Sequence, residues 1–242
     1  MGETVAFVYN VHKTIAKIMD TVHMKDRATV RATSAPPPRG TYRHGDLRRA
    51  LLKAGVELAR DGGPEAVVLR EATRRAGVVP NAAYRHFESR QALLLAVRAA
   101  ALAAVARAME TELATLRPTR DHAAFARASV RAVGTGYLRF AQSETGLFRT
   151  AFAAPLDVEA QPDHAKSGDS GLNPFQLLGA ALDRLVEAGA MPTSRRPGAE
   201  FLAWSAVHGL ALLVIDGPLR GLPRAAIDAL GQRLLDMVEK GL

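Results

Sequence analysis

Leu69 to Phe87 reads Leu-Arg-Glu-Ala-Thr-Arg-Arg-Ala-Gly-Val-Val-Pro-Asn-Ala-Ala-Tyr-Arg-His-Phe. It holds two short helices and a tight turn. The first runs from about Leu69 to Ala76 and stops at Gly77, the residue type that takes a left-handed C-cap without a Cβ penalty. The second runs from about Asn81 to Phe87 and carries polar and aromatic groups. Two short helices about such a turn form a helix-turn-helix, whose second helix fits a major groove about 12 Å wide. Asn81 can pair with base edges or a phosphate, and Ala82 and Ala83 permit close approach and can meet thymine methyls. Tyr84, Arg85, His86 and, just beyond, Arg90 can donate to phosphates. Phe87 reads as core, and Tyr84 as a packed ring whose hydroxyl reaches outward.

The charge is placed where that role needs it. The 242-residue chain carries a formal charge of +8. Residues 39–90 hold 11 basic and 6 acidic side chains, a net +5, against +2 for residues 1–38 and +1 for residues 91–242. That distribution describes a polyanion-binding module attached to a near-neutral domain.

Working outward, the pattern is helical on both sides. Leu47, Leu51, Ala54 and Leu58 recur at the spacing of one helix face, stopped by Asp61-Gly62-Gly63-Pro64. Ser89 is a good N-cap for a long helix reaching about Leu116. Further helices are expected at about 121–142, with Gly134 and Gly136 as weak points, and at 145–153, 174–188, 197–215 and 223–240, with a loop over 155–171. No window alternates with period two. The fold class is therefore all-α, with about nine helices. Residues 1–38 read as a flexible extension, with a short helix over Val11–Met24 and a proline linker at Ala35–Gly40. Met24 offers an alternative start. Residues 39–90 then form the helix-turn-helix domain, and 91–242 a second, helical domain.

Composition excludes several chemistries. The absence of cysteine removes disulfides, cysteine zinc sites, iron–sulfur clusters and thiol nucleophiles. The seven histidines form no pair at i, i+4 and no His-Glu-x-x-His, so no metal and no cofactor is expected. Gly168-Asp169-Ser170-Gly171 resembles the active serine of trypsin-like proteases only superficially, because that fold is all-β. No apolar run approaches the ~20 residues of a membrane span. Val5–Tyr9 is interrupted too soon, by Asn10, His12 and Lys13, to be a signal peptide. These features point to a soluble cytoplasmic protein that is not an enzyme. A helical protein-interaction module without DNA readout is the first alternative, and a helical enzyme the second.

Several separated elements resemble the tetracycline-repressor (TetR) family of transcriptional regulators. They are Tyr42–Arg49, Leu69-Arg70-Glu71-Ala72, Ala76-Gly77-Val78 and Tyr84–Arg90, in the family's order and spacing. Trp204-Ser205-Ala206-Val207-His208-Gly209 resembles the Trp-His-Gly type of C-terminal domain in that family. The resemblance spans about residue 40 to the end. It implies a homodimer on a palindromic operator in double-stranded DNA, a repressor released by a small-molecule effector. It also implies DNA contacts from His44, Arg70, Asn81, Tyr84, His86 and Arg90, and a four-helix dimer interface from residues 197–215 and 223–240. The chain departs from the family at Val68 and Val79, where Ser or Thr usually caps the second and third helices. Replacing Val79 by Ser should restore a cap worth ~0.5–2 kcal/mol. Operator affinity then rises if the valine is only a missing cap. It falls if Val79 packs against a thymine methyl or Ala82.

In the second half, Phe125, Tyr137, Phe140, Phe148, Phe152, Phe175 and Trp204 are candidates to line a pocket, most of them as plain core. Trp204 and His208 share a helix face at i, i+4. They form either a pocket wall with a polar handle or a packing pair with an internally satisfied imidazole. Gly209 reads as a point of close helix contact. The near-neutral domain favours an apolar or aromatic effector. Ile227, Leu230, Leu234 and Val238 form an apolar seam beside a helix apolar nearly all round from Phe201 to Ile215, surfaces suited to homodimerisation.

Overall fold

Leu47, Leu51, Ala54 and Leu58, the face expected from spacing, are all buried along α1 (His44–Gly62). This holds in a computed structural model that describes residues 44–154 and 163–241. Among the described residues there are nine α-helices and no strand. They are α1, α2 (Leu69–Ala76), α3 (Pro80–Tyr84), α4 (Arg90–Ala114), α5 (His122–Ser143), α6 (Thr145–Ala151), α7 (Pro174–Glu187), α8 (Ala199–Ile215) and α9 (Arg224–Gly241). The expected extension over 1–38, its short helix, and part of the 155–171 loop lie outside the described residues.

Helix ends follow local chemistry. Ser89 accepts from the Ala92 N–H at 3.1 Å, and Asp121 from Ala124 at 2.8 Å. Asn173 and Gln176 exchange both bonds of a capping box ahead of Pro174. α3 is shorter than expected, ending at Tyr84.

α4 is the central element and packs against α1, α5, α6 and α7. By length and composition it could cross a membrane, but Leu93, Val97, Leu102, Val105 and Met109 are buried in the protein core. Gly134 and Gly136 are not weak points of α5 but sites of close approach. A Cβ on Gly136 would lie 2.6 Å from both Ala108 O and Met109 Cα on α4, and one on Gly134 would strike the Leu235 side chain of α9. The Ile227 to Val238 seam is also corrected. Ile227 and Val238 are buried in the chain's own core, Leu230 and Leu234 are half-buried, and Met237 is exposed.

Candidate DNA-reading face and ligand cavity

α2 ends in a Schellman turn. Gly77 has φ 67°, its N–H donates to Arg74 O at 3.2 Å, and the Val78 N–H donates to Thr73 O at 3.1 Å. The turn redirects the chain into α3, which docks through buried Ala83 and through Phe87 just beyond it, under the Arg48 guanidinium 5.2 Å from the Phe87 ring centre. Helical spacing then leaves Asn81, Tyr84 and Arg85 exposed. Two expectations change here. Ala83 faces the core and cannot meet a thymine methyl, and the Tyr84 ring, 56% exposed, does not pack. Arg70 is exposed at the start of α2, and His86 is half-buried. His44 is the first residue of α1, with its side chain outside the described part. Val68 and Val79 are the N-caps of α2 and α3, and neither makes a side-chain cap bond.

Arg90 also departs from expectation. Its Nε donates to Val67 O at 2.8 Å and its Nη2 to Pro64 O at 2.9 Å, with Glu65 at 3.5 Å. It braces the turn that leads into α2, and so positions the helix pair, while its side chain stays 43% exposed.

A cavity of about 430 Å³ lies among α4, α5, α7, α8 and α9. Leu102, Met109, Val130, Val133, Leu178 and Val207 supply apolar wall, and Tyr137, Phe152, Phe175 and Trp204 supply rings. Arg98, Asp163, Lys166 and Asn173 are its hydrogen-bonding and charged lining. Of the expected pocket residues, Tyr137, Phe152, Phe175 and Trp204 line it, whereas Phe125, Phe140, Phe148 and His208 do not. Phe125 stacks with the Arg184 guanidinium at 5.6 Å. Phe140 is core, and Phe148 is fully buried, edge-on to Tyr137 at 5.3 Å.

Trp204 and His208 meet at Tyr137. The Trp204 Nε1–H donates to the Tyr137 hydroxyl at 3.1 Å, and that hydroxyl lies 2.7 Å from His208 Nδ1. With the indole N–H donating to the phenol oxygen, the phenol O–H is free to donate to Nδ1 of a neutral imidazole. Burial pushes the Tyr137 hydroxyl well above its ordinary range, so it keeps its proton, and burial also lowers His208 below its ordinary 6.5. The imidazole is thus satisfied internally while the indole forms cavity wall, so both readings of the pair hold in part. The pH consequence has a definite sign. Between the depressed folded value and 6.5 the unfolded chain binds a proton that the folded chain refuses, so stability falls as pH drops through that window. Thermal unfolding at pH 7.5 and pH 5.5 is expected to show a smaller acid loss for His208→Gln than for wild type. An equal loss in both would assign the effect to other groups.

Sequence reasoning missed Glu110. This buried carboxylate on α4 accepts from the Asp169 N–H at 2.8 Å, the Ser170 N–H at 3.0 Å and the Ser170 hydroxyl at 2.5 Å. The Gly168-Asp169-Ser170-Gly171 motif is therefore a clasp holding the loop beside the cavity to α4. Gly168 lets the loop sit directly on the carboxylate, since a Cβ there would displace it. A glutamate amid apolar helix residues was the available signal. Among the described residues no group of three or more His, Cys, Asp or Glu could hold a metal ion.

The chain matches a family model described as bacterial regulatory proteins, tetR family, over residues 51–97. It matches a second, tetracyclin repressor-like, C-terminal domain, over residues 130–238. No curated protein matches it. A solved protein with unknown function from Rhodococcus sp. RHA1 is 26% identical, with TM-score 0.58, covering 83% of this chain and 97% of that one. The transcriptional regulator FadR from Bacillus subtilis, solved in complex with stearoyl-CoA, is 13% identical with TM-score 0.56, covering 80% and 98%. TetR from Acinetobacter baumannii AYE is 19% identical with TM-score 0.53, covering 83% and 96%. The last two likenesses are of fold.

Proposed function

The chain belongs to the TetR family of ligand-responsive, DNA-binding transcriptional regulators, and from that premise we propose that it is a cytoplasmic homodimeric repressor released from a palindromic operator by an apolar or aromatic effector. The observation that carries this is the exposed α3 face, Asn81, Tyr84 and Arg85, in the most basic segment of a chain that also holds a mainly apolar cavity. Arg70, Asn81, Tyr84, His86 and His44 make the DNA contacts in this reading, and the helix-turn-helix domain of residues 39–90 is followed by the ligand domain of 91–242. No catalytic step enters it. A cavity of about 430 Å³ suits one small molecule. FadR's stearoyl-CoA is a long apolar chain with a polar head, and the apolar wall here favours the same apolar class.

Arg98 is the proposed link between ligand and DNA. It lines the cavity, and its guanidinium donates to Ala151 O at the end of α6 at 3.1 Å and to Ala154 O just beyond that helix. α6 in turn packs on α1, where the Arg60–Glu144 pair closes at 2.7 Å. A ligand that draws Arg98 into the cavity shifts α6 against the DNA-binding helices. It releases DNA only by binding the non-operator arrangement more tightly.

The test is a salt titration of binding to DNA from the regulated region. A dimer making roughly 6–10 phosphate contacts gives a log–log slope near −5 to −9. A slope near zero would favour the protein-interaction module. Effectors found by thermal shift should lower operator affinity of wild type. They should still bind Arg98→Met but lose most of their effect on its DNA binding.

A further inference from the structure

We propose that Val79 reads sequence, its isopropyl group meeting the 5-methyl group of one thymine in each operator half-site. This rests on the DNA-binding reading above. Val79 is the N-cap of α3, with extended backbone at φ −74°, ψ 142° and no side-chain hydrogen bond. It is 68% exposed, more than Val68 or Tyr84, and is not among the side chains packed against the core.

A valine there is unfavourable to the free protein twice over. It has no side-chain oxygen to offer the amides of the helix start, where Ser, Thr, Asp or Asn would supply one. It also keeps a branched apolar group in water without packing in return. A local rule broken with no structural compensation marks a functional position. The position is the entry to the helix that, in this motif, contacts base edges through its first residues. A valine cannot donate to a phosphate, so a contact from it is apolar. The thymine methyl is the apolar group that a base edge offers in the major groove. Asn81 and Tyr84, polar and exposed nearby, are placed to flank that contact. Buried Ala83 cannot make it instead.

The experiment starts by selecting bound sequences from a random duplex library with the full chain. Each thymine of the selected site is then replaced by deoxyuridine, which removes only the methyl. At one symmetry-related thymine per half-site, wild type is expected to lose about fourfold in affinity, the factor for one buried methyl, and about fifteenfold when both half-sites are changed. Val79→Ser and Val79→Ala should bind the thymine operator more weakly and no longer distinguish thymine from deoxyuridine. Val79→Ser should nevertheless melt at higher temperature than wild type, because its hydroxyl restores the cap. Affinity and stability would then move in opposite directions, which a purely structural residue does not produce. Wild type indifferent to deoxyuridine at every position overturns the inference, as does undiminished methyl sensitivity in the variants. Tighter operator binding by Val79→Ser also overturns it and restores the missing-cap account. If the library yields no enriched sequence, the DNA-readout reading fails and takes this inference with it.

Discussion

Leu202→Glu is expected to give a folded monomer near 26 kDa by light scattering at micromolar concentration, with operator binding lost. Family members are dimeric, and one face of α8 is apolar but uncovered by its own chain. Leu202 is 69% exposed and is followed on the same side by Gly209 and Leu213, with Met237 of α9 59% exposed. A Cβ on Gly209 would meet nothing within 4 Å in the protomer, so the close contact expected there is not made inside one chain. A second copy lying along this face would make it. Burying one leucine gives about 1.5–3 kcal/mol, and two-fold symmetry doubles the loss on replacement, before any penalty for the introduced charge. That weakens the dimer by at least about 10²–10⁴-fold. Operator binding follows because the second half-site is then no longer held at high effective concentration. Helix content should be unchanged, since Leu202 faces solvent in the protomer. A dimer of wild-type affinity from Leu202→Glu would place the interface elsewhere.

Gly146→Ala is expected to be among the most destabilising single-methyl changes in the chain. Its Cβ would fall onto the carbonyl oxygens of Ala59 and Arg60 and 2.9 Å from the Arg60 carbonyl carbon, all backbone atoms of α1. Backbone cannot rotate away as a flexible side chain can, so α6 must lift off α1. Overpacking costs about 1–3 kcal/mol where side chains can adjust, and about 3 kcal/mol or more is expected here. That lowers Tm by roughly 6–12 °C for a chain of this size. Gly179→Ala is the matched control. It sits within α7 with its nearest contact at 3.7 Å, so removing a helix-interior glycine should stabilise by about 0.5–1 kcal/mol. Gly146→Ala should also blunt the ligand response, because α6 joins the Arg98 side of the cavity to α1. An unchanged Tm would show that α6 and α1 do not press together at this point.

The two glycines mark the boundary between what could and could not be read from residue order. Both sit in helical segments, and nothing within four residues of either distinguishes them. α2 was legible at both ends, Leu69 to Ala76, because periodicity, the Gly77 C-cap and the following proline act within a single turn. The same is true of the Ser89 cap and of the buried face of α1. The all-α class, the helix-turn-helix pair and the basic segment around it also depend on short-range patterns of spacing and charge. Arg90, by contrast, looks from the sequence like one more exposed cation after a recognition helix, yet its acceptors are carbonyls 23 and 26 residues earlier.

By itself, then, the sequence determined the places of the helices, the Ser89 and Gly77 caps and the concentration of positive charge over residues 39–90, since each is decided by interactions along one stretch of chain. Only the tertiary structure decided which aromatics meet at the cavity, separating Tyr137, Phe152, Phe175 and Trp204 from Phe125, Phe140 and Phe148. It alone joined Glu110 to a loop about 60 residues away, and turned Val79 outward and Ala83 inward. The physical reason is that helical periodicity says which residues share a face, while the partner of that face is chosen by how whole helices cross.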